Sequence, residues 1–155
     1  MKSIKTLLTL LAFSFLFTAC SKDDDDGAAS GAGTLTAKVG GVSFNSTLAV
    51  QASLNSNVLS FGGTGSDGQI TIVVPGYTAP GTFTIGGAGM TTATYTLTTA
   101  PFTGYVASMV AGTGSVVVTE LAGGYVKGTF SFTGYTSGAA ASKVITDGQF
   151  NIKLQ

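Results

Sequence analysis

From residue 34 onward, apolar and polar side chains alternate with period two. Leu35, Ala37 and Val39 share one side of an extended chain, and Thr34, Thr36 and Lys38 share the other. That is the pattern of a strand with one buried face. After Gly40-Gly41 the alternation resumes at Val42 and Phe44 and continues through Leu48, Val50, Ala52 and Leu54. It pauses at Asn55-Ser56-Asn57 and returns at Leu59 and Phe61. Asp67-Gly68, a dipeptide favoured in two-residue hairpins, precedes Ile70, Ile72 and Val74. Pro80-Gly81 predicts a type II turn before Phe83 and Ile85, because Pro presets φ and Gly accepts a positive φ. Tyr95 and Leu97 alternate with Thr94, Thr96 and Thr98. The stretch from Pro101 to Gly114 is the least regular and reads as a long loop or a poorly patterned strand. Val116 and Val118 restore the pattern. Val126, Gly128, Phe130 and Phe132 continue it after Gly123-Gly124, and Phe150, Ile152 and Leu154 close it after Asp147-Gly148. No segment sustains a helical period. The expected fold is all-β over residues 34–155: an antiparallel β-sandwich or, as the alternative, a small antiparallel β-barrel.

The residues before this domain follow different rules. Lys2 and Lys5 are followed by an apolar run from Thr6 to Phe17, then by the small residues Thr18 and Ala19. This is the layout of a secretory signal peptide over residues 1–19. The apolar run falls short of the ~20 residues that a bilayer-spanning helix needs. Ordinary signal cleavage after Ala19 would leave bulky Phe17 where a small side chain is required. Phe17-Thr18-Ala19-Cys20 instead resembles a lipobox, with Phe17 in place of the usual Leu. That resemblance implies lipidation on Cys20, the chain's one cysteine, with fatty-acyl groups such as palmitate. Each buried CH₂ then holds the protein to the membrane by ~0.8 kcal/mol.

Ser21, Lys22, Asp23, Asp24, Asp25 and Asp26 resemble the surface-export signal of Bacteroidetes-type lipoproteins, in which acidic residues closely follow the lipidated cysteine. The resemblance implies an outer-membrane address, lipid-anchored and facing the exterior. Gly27 to Gly33 reads as a Gly/Ala/Ser linker, so that residues 20–33 form the tether. Four adjacent carboxylates on such a tether lack the spacing and turn of a calcium loop.

The domain itself resembles an uncharacterised lipoprotein β-domain family of Bacteroidetes. The resemblance rests on Leu35 to Phe44, Gly81-Thr82-Phe83, Gly114 to Thr119, Gly128 to Phe132 and Ile145 to Phe150, in that order. That family often carries Trp near the position held here by Phe44. It has no assigned activity and so implies no functional residues.

Composition narrows the chemistry. Charged residues make up only 9%, the net charge is zero, and Lys supplies all seven positive charges. No nucleic-acid partner is expected, because phosphate contacts need clustered Lys and Arg. Histidine is absent and the domain has no cysteine, which removes Ser-His-Asp and Cys-His catalysis and the common zinc sites. The domain's acids are Asp67, Glu120 and Asp147. Asp67 and Asp147 each precede Gly and read as turn residues, and Glu120 reads as a solvated charge near Lys127. Gly62-Gly63-Thr64-Gly65 and Gly86-Gly87-Ala88-Gly89 neither open a helix nor carry a P-loop Lys. No catalytic residue, metal site or cofactor is expected. The expected partners are the membrane, through the lipid anchor, and a glycan or an envelope protein. Tyr77, Tyr105 and Tyr135 fall in or near predicted loops and are the candidate ligand-binding residues, with Tyr105 the foremost.

Overall fold

The computed structural model describes residues 33–155. The leader, Cys20, the run from Ser21 to Asp26 and most of the linker lie outside the described residues. The expectation of an all-β domain holds. The strands are β1 (Gly33–Val39), β2 (Val42–Asn45), β3 (Leu48–Asn55), β4 (Val58–Thr64), β5 (Gly68–Pro75), β6 (Gly81–Ile85), β7 (Thr92–Leu97), β8 (Gly104–Ala107), β9 (Thr113–Ala122), β10 (Tyr125–Tyr135) and β11 (Ser142–Lys153). Among the described residues, the only helical element is a short 3₁₀ turn at Ser137–Ala139.

The strands form one antiparallel sheet in the order β2-β1-β11-β10-β8-β7-β5-β4-β3, with β9 and β6 branching from β10. The sheet curls into a half-barrel, nearer to the barrel than to two separate stacked sheets. Its inner face is the core. Leu35, Leu59, Ile70, Ile72, Val116, Val126, Ile145 and Ile152 are fully buried there. Phe61 stacks on Phe150 at 4.2 Å between ring centroids. Burial of this inner row is the main force holding the curl, at roughly 25 cal/mol per Å² of apolar surface.

Local chemistry sets the hairpins. Gly40 and Gly41 (φ 58° and 85°), Ser56 and Asn57 (47° and 62°), and Gly123 and Gly124 (60° and 78°) all take positive φ. Each pair is the two-residue tip of a hairpin, joining Val39 to Val42, Asn55 to Val58 and Ala122 to Tyr125. Positive φ at both central residues matches the twist of the flanking strands.

The two ends of the sheet meet at Ser46-Thr47. Ser46 N donates to Leu35 O of β1 at 2.9 Å, and Thr47 N donates to Thr64 O of β4 at 2.9 Å. β2 and β3 are therefore two arms of one bent strand that changes partner at this corner. The Ser46 hydroxyl also donates to Thr64 O at 3.3 Å. Gly63 makes room for it, since a Cβ there would collide with the Ser46 side chain. Further along, Gln155 N donates to Ala52 O at 3.0 Å and draws the C-terminal end of β11 against β3.

Three sequence expectations need correction. The alternation groups Leu48 with the inward row, but it is 66% exposed. Ala49 takes φ 51° and shifts the register between Leu48 and Gln51, which turns Leu48 outward. Asp147-Gly148 is not a turn between strands. It is a bulge inside β11, where Asp147 takes φ 52° and the pairing with both neighbours shifts. Gly81 does not take a positive φ; it opens β6 opposite Val118 rather than completing a type II turn. The hairpin expected at Asp67-Gly68 does form, with Ser66 and Asp67 at its tip and Gly65 N donating to Gly68 O at 2.8 Å.

The corner yields a direct test. Gly63→Ala overpacks it and is expected to destabilise the domain by about 1–3 kcal/mol in urea denaturation. Gly123→Asn, at an open hairpin tip, is expected to change stability by less than about 1 kcal/mol, because Asn tolerates positive φ. Equal effects of the two substitutions would contradict the closure at Ser46.

Candidate functional site

The strand directions give the half-barrel two unlike ends. β1, β4, β7 and β10 run toward one end, and β2, β5, β8 and β11 run away from it. Four connections gather there: Gly40-Gly41, Ser66-Asp67, the β7–β8 loop and the β10–β11 loop. Gly33, the Gly123-Gly124 hairpin and Gln155 lie at the other end, where Leu154 N donates to Gly124 O at 2.8 Å.

The four-loop end opens into a mouth of about 240 Å³. Val39, Val42, Phe44, Tyr95, Leu97, Asp67 and Lys143 line it, with Ser43, Asn45 and Ser66 at its margin. Register explains why these residues meet. Tyr95 of β7 pairs with Tyr105 of β8, and Gly134 of β10 pairs with Lys143 of β11. A Cβ on Gly134 would lie 2.8 Å from the Tyr105 backbone, so this position holds only glycine. The gap lets Lys143 Nζ lie over the Tyr105 ring, 5.5 Å from its centroid. Tyr105 stacks on Tyr95 at 6.3 Å, and Phe44 meets Tyr95 edge-on at 6.4 Å.

Hydrogen bonds brace the mouth. Thr98 N donates to Asp67 O at 3.2 Å, and the Thr98 hydroxyl donates to Ser66 O at 3.1 Å. Leu97 N donates to Thr103 O at 3.0 Å, and Gly40 N donates to Val144 O at 2.8 Å. These bonds tie the β7–β8 loop to the β4–β5 hairpin and the β1–β2 hairpin to β11. Tyr95 is only 3% exposed, with its hydroxyl beside Gly68 and next to Asp67. Burial raises its pKa above the ordinary 10.0, and the Asp67 charge and Tyr105 add to the effect.

The three candidate tyrosines separate. Tyr105 does not line the mouth itself but packs against two residues that do, Tyr95 and Lys143. Tyr135 pairs with exposed Val106 on the outer face, away from the mouth. Tyr77 is 2% exposed, packed against Phe83 at 5.6 Å, and presents no surface to a ligand. Gly76 and Pro80 on either side mark it as a loop residue, and the loop folds inward, with Tyr77 N donating to Asn57 O at 2.7 Å. Tyr95 and Lys143 were not singled out from sequence. Tyr95 reads from the sequence as one more inward member of an alternating strand, and its polar hydroxyl is the signal that sets it apart.

The acids do not converge. Glu120 pairs with Lys127 at 3.0 Å and Asp147 with Lys38 at 2.9 Å, both at the exposed surface. Asp67 stands apart at the mouth. Among the described residues, no three His, Cys, Asp or Glu side chains come together. A second concavity of about 200 Å³ lies over β3–β5 and is lined by amides and hydroxyls, including Gln51, Ser53, Ser60, Gln69 and Thr71.

Residues 32–152 match the family model described as a domain of unknown function, DUF6252. No curated protein and no solved structure matches the chain.

Tyr77 supplies a second test. Its hydroxyl is buried without a hydrogen-bond partner, and burial raises its pKa above 10.0. Tyr77→Phe is therefore expected to stabilise the domain by about 1 kcal/mol at neutral pH. The unfolded chain loses this proton first. The neutral hydroxyl's share of stability is thus intact below pH 10.0 and lost as pH rises through the raised value. The variant is expected to unfold at higher pH than the parent in an alkaline titration followed by circular dichroism. A loss of stability in the variant would contradict the orphaned hydroxyl.

Proposed function

This chain belongs to the DUF6252 family, and we propose that it is an outer-membrane lipoprotein whose β-domain acts outside the cell as a non-enzymatic binding module. The anchor reading rests on Phe17-Thr18-Ala19-Cys20 directly after an apolar leader, with Cys20 the chain's one cysteine. The acidic run from Asp23 to Asp26 supports the exterior address.

The observation that carries the binding reading is the polarity of β1. It begins at Gly33, at the end where the tether joins, and runs to Val39 at the lip of the mouth. Seven extended residues separate the two points by roughly 20 Å. Residues 21–32 add a contour of at most roughly 40 Å. A domain tethered through Gly33 carries its braced mouth at the end remote from the attachment point. The pairing of Glu120 and Asp147 with lysines supports a role without catalysis, since each carboxylate is engaged at the surface and neither reaches Asp67.

Metabolic labelling with radioactive palmitate is expected to mark the protein, and Cys20→Ser is expected to abolish the label. Protease added to intact cells is expected to degrade the labelled protein. Undiminished label in the Cys20→Ser chain would overturn the anchor reading, and full protection from protease would overturn the exterior one.

A further inference from the structure

The mouth holds two opposite charges that no other side chain neutralises. Among the described residues, the ion pairs are Lys38 with Asp147 and Lys127 with Glu120. Asp67 stands on one lip, beside the Tyr95 hydroxyl, and Lys143 stands on the other, over Tyr105. Tyr95 is 3% exposed, and its hydroxyl makes no hydrogen bond to a protein group among the described residues. The same lining carries the apolar side chains of Val39, Phe44 and Leu97.

Sugar stacking needs an open aromatic face, and the mouth has none. Phe44 and Tyr95 are buried against each other, and Tyr105 is taken by Tyr95 and Lys143. What the mouth offers is an anion on one side, a cation on the other, a free phenol and an apolar lining. From the Tyr95 ring to the Tyr105 ring is 6.3 Å, and from there to Lys143 Nζ is 5.5 Å. The Asp67 and Lys143 side chains thus line one cavity of about 240 Å³ from different elements of the sheet.

We propose that the mouth binds a small zwitterion with an apolar body, of the class of a free di- or tripeptide with small apolar side chains. Its carboxylate meets Lys143 Nζ, its ammonium meets the Asp67 carboxylate, and its backbone hydrogen-bonds the Tyr95 hydroxyl. Its side chains rest on Val39, Phe44 and Leu97. This deepens the reading of the mouth as the binding face and rests on it. The cavity is below the roughly 300 Å³ at which drug-sized sites begin, which suits a ligand of this size. The hydrogen bonds that brace the loops spare the ligand the entropy of ordering them.

The test uses the full chain in detergent micelles, with Ala-Val-Ala as the probe and calorimetry and tyrosine fluorescence as readouts. The chain has no Trp, so its fluorescence reports on tyrosine alone. Ala-Val-Ala is expected to bind and to change the emission. N-acetylation or C-amidation is expected to weaken binding about tenfold each, as the loss of one charge-assisted contact implies. Lys143→Gln and Asp67→Asn, both at accessible positions, are expected to weaken it comparably. Lys143→Gln is also expected to abolish discrimination against the C-amide alone. Equal binding of free and doubly blocked peptide would overturn the zwitterion and leave the mouth as a binding face. If neither the peptides nor neutral monosaccharides perturb the tyrosines, both readings fall.

Discussion

Two backbone hydrogen bonds on adjacent residues set where this sheet folds back on itself, and the buried apolar row holds it there. At Ser46-Thr47 the chain donates to β1 from one amide and to β4 from the next. The sheet order places those two strands near its opposite ends. A sheet joined there has no choice but to curl, and the curl hides one face of every strand it contains. The apolar alternation is useful only because of this. Without the corner, Leu59, Phe61, Ile70 and Ile72 would form the exposed inner face of an open wing. The fold-back also shields part of the β3 edge, which meets the C-terminal end of the chain at Ala52 and Leu154. With charged residues at 9%, the chain has few of the charges that commonly protect such edges.

Much of this was legible in the sequence. Period two set the inward rows of β1, β5 and β10, and the Gly-Gly pairs marked two of the three tight hairpins. What local pattern could not carry was register against distant strands. The bulges at Ala49 and Asp147 arise where two residues must face one across a ladder, a condition set by neighbours far along the chain. The same limit hid the mouth. Lys143 and Tyr105 are thirty-eight positions apart, and the link between them is a glycine on a third strand. Tyr77 failed for the opposite reason. Its neighbours look like loop residues, and they are, but the loop turns its ring into the core.

The scarcity of charge gives the mouth its character. The described chain has three acids, and two of them are matched to lysines on the outer face. The third, Asp67, sits across the mouth from Lys143. Both are fixed by hairpins and strands that the core holds, so their separation is a property of the fold rather than of flexible side chains alone. The same strand directions that place them at one end place Gly33 at the other. The start of the domain at Gly33 and the mouth are thus separated along the length of the strands.

Paramagnetic relaxation measures that separation. The lipidated chain is bound to vesicles carrying spin-labelled headgroups, and amide signals are compared at the two ends. If the mouth faces away from the membrane, the amides of Asn57, Gly123 and Gly124 broaden more than those of Gly40, Gly41 and Asp67. Stronger broadening at Gly40, Gly41 and Asp67 would contradict it.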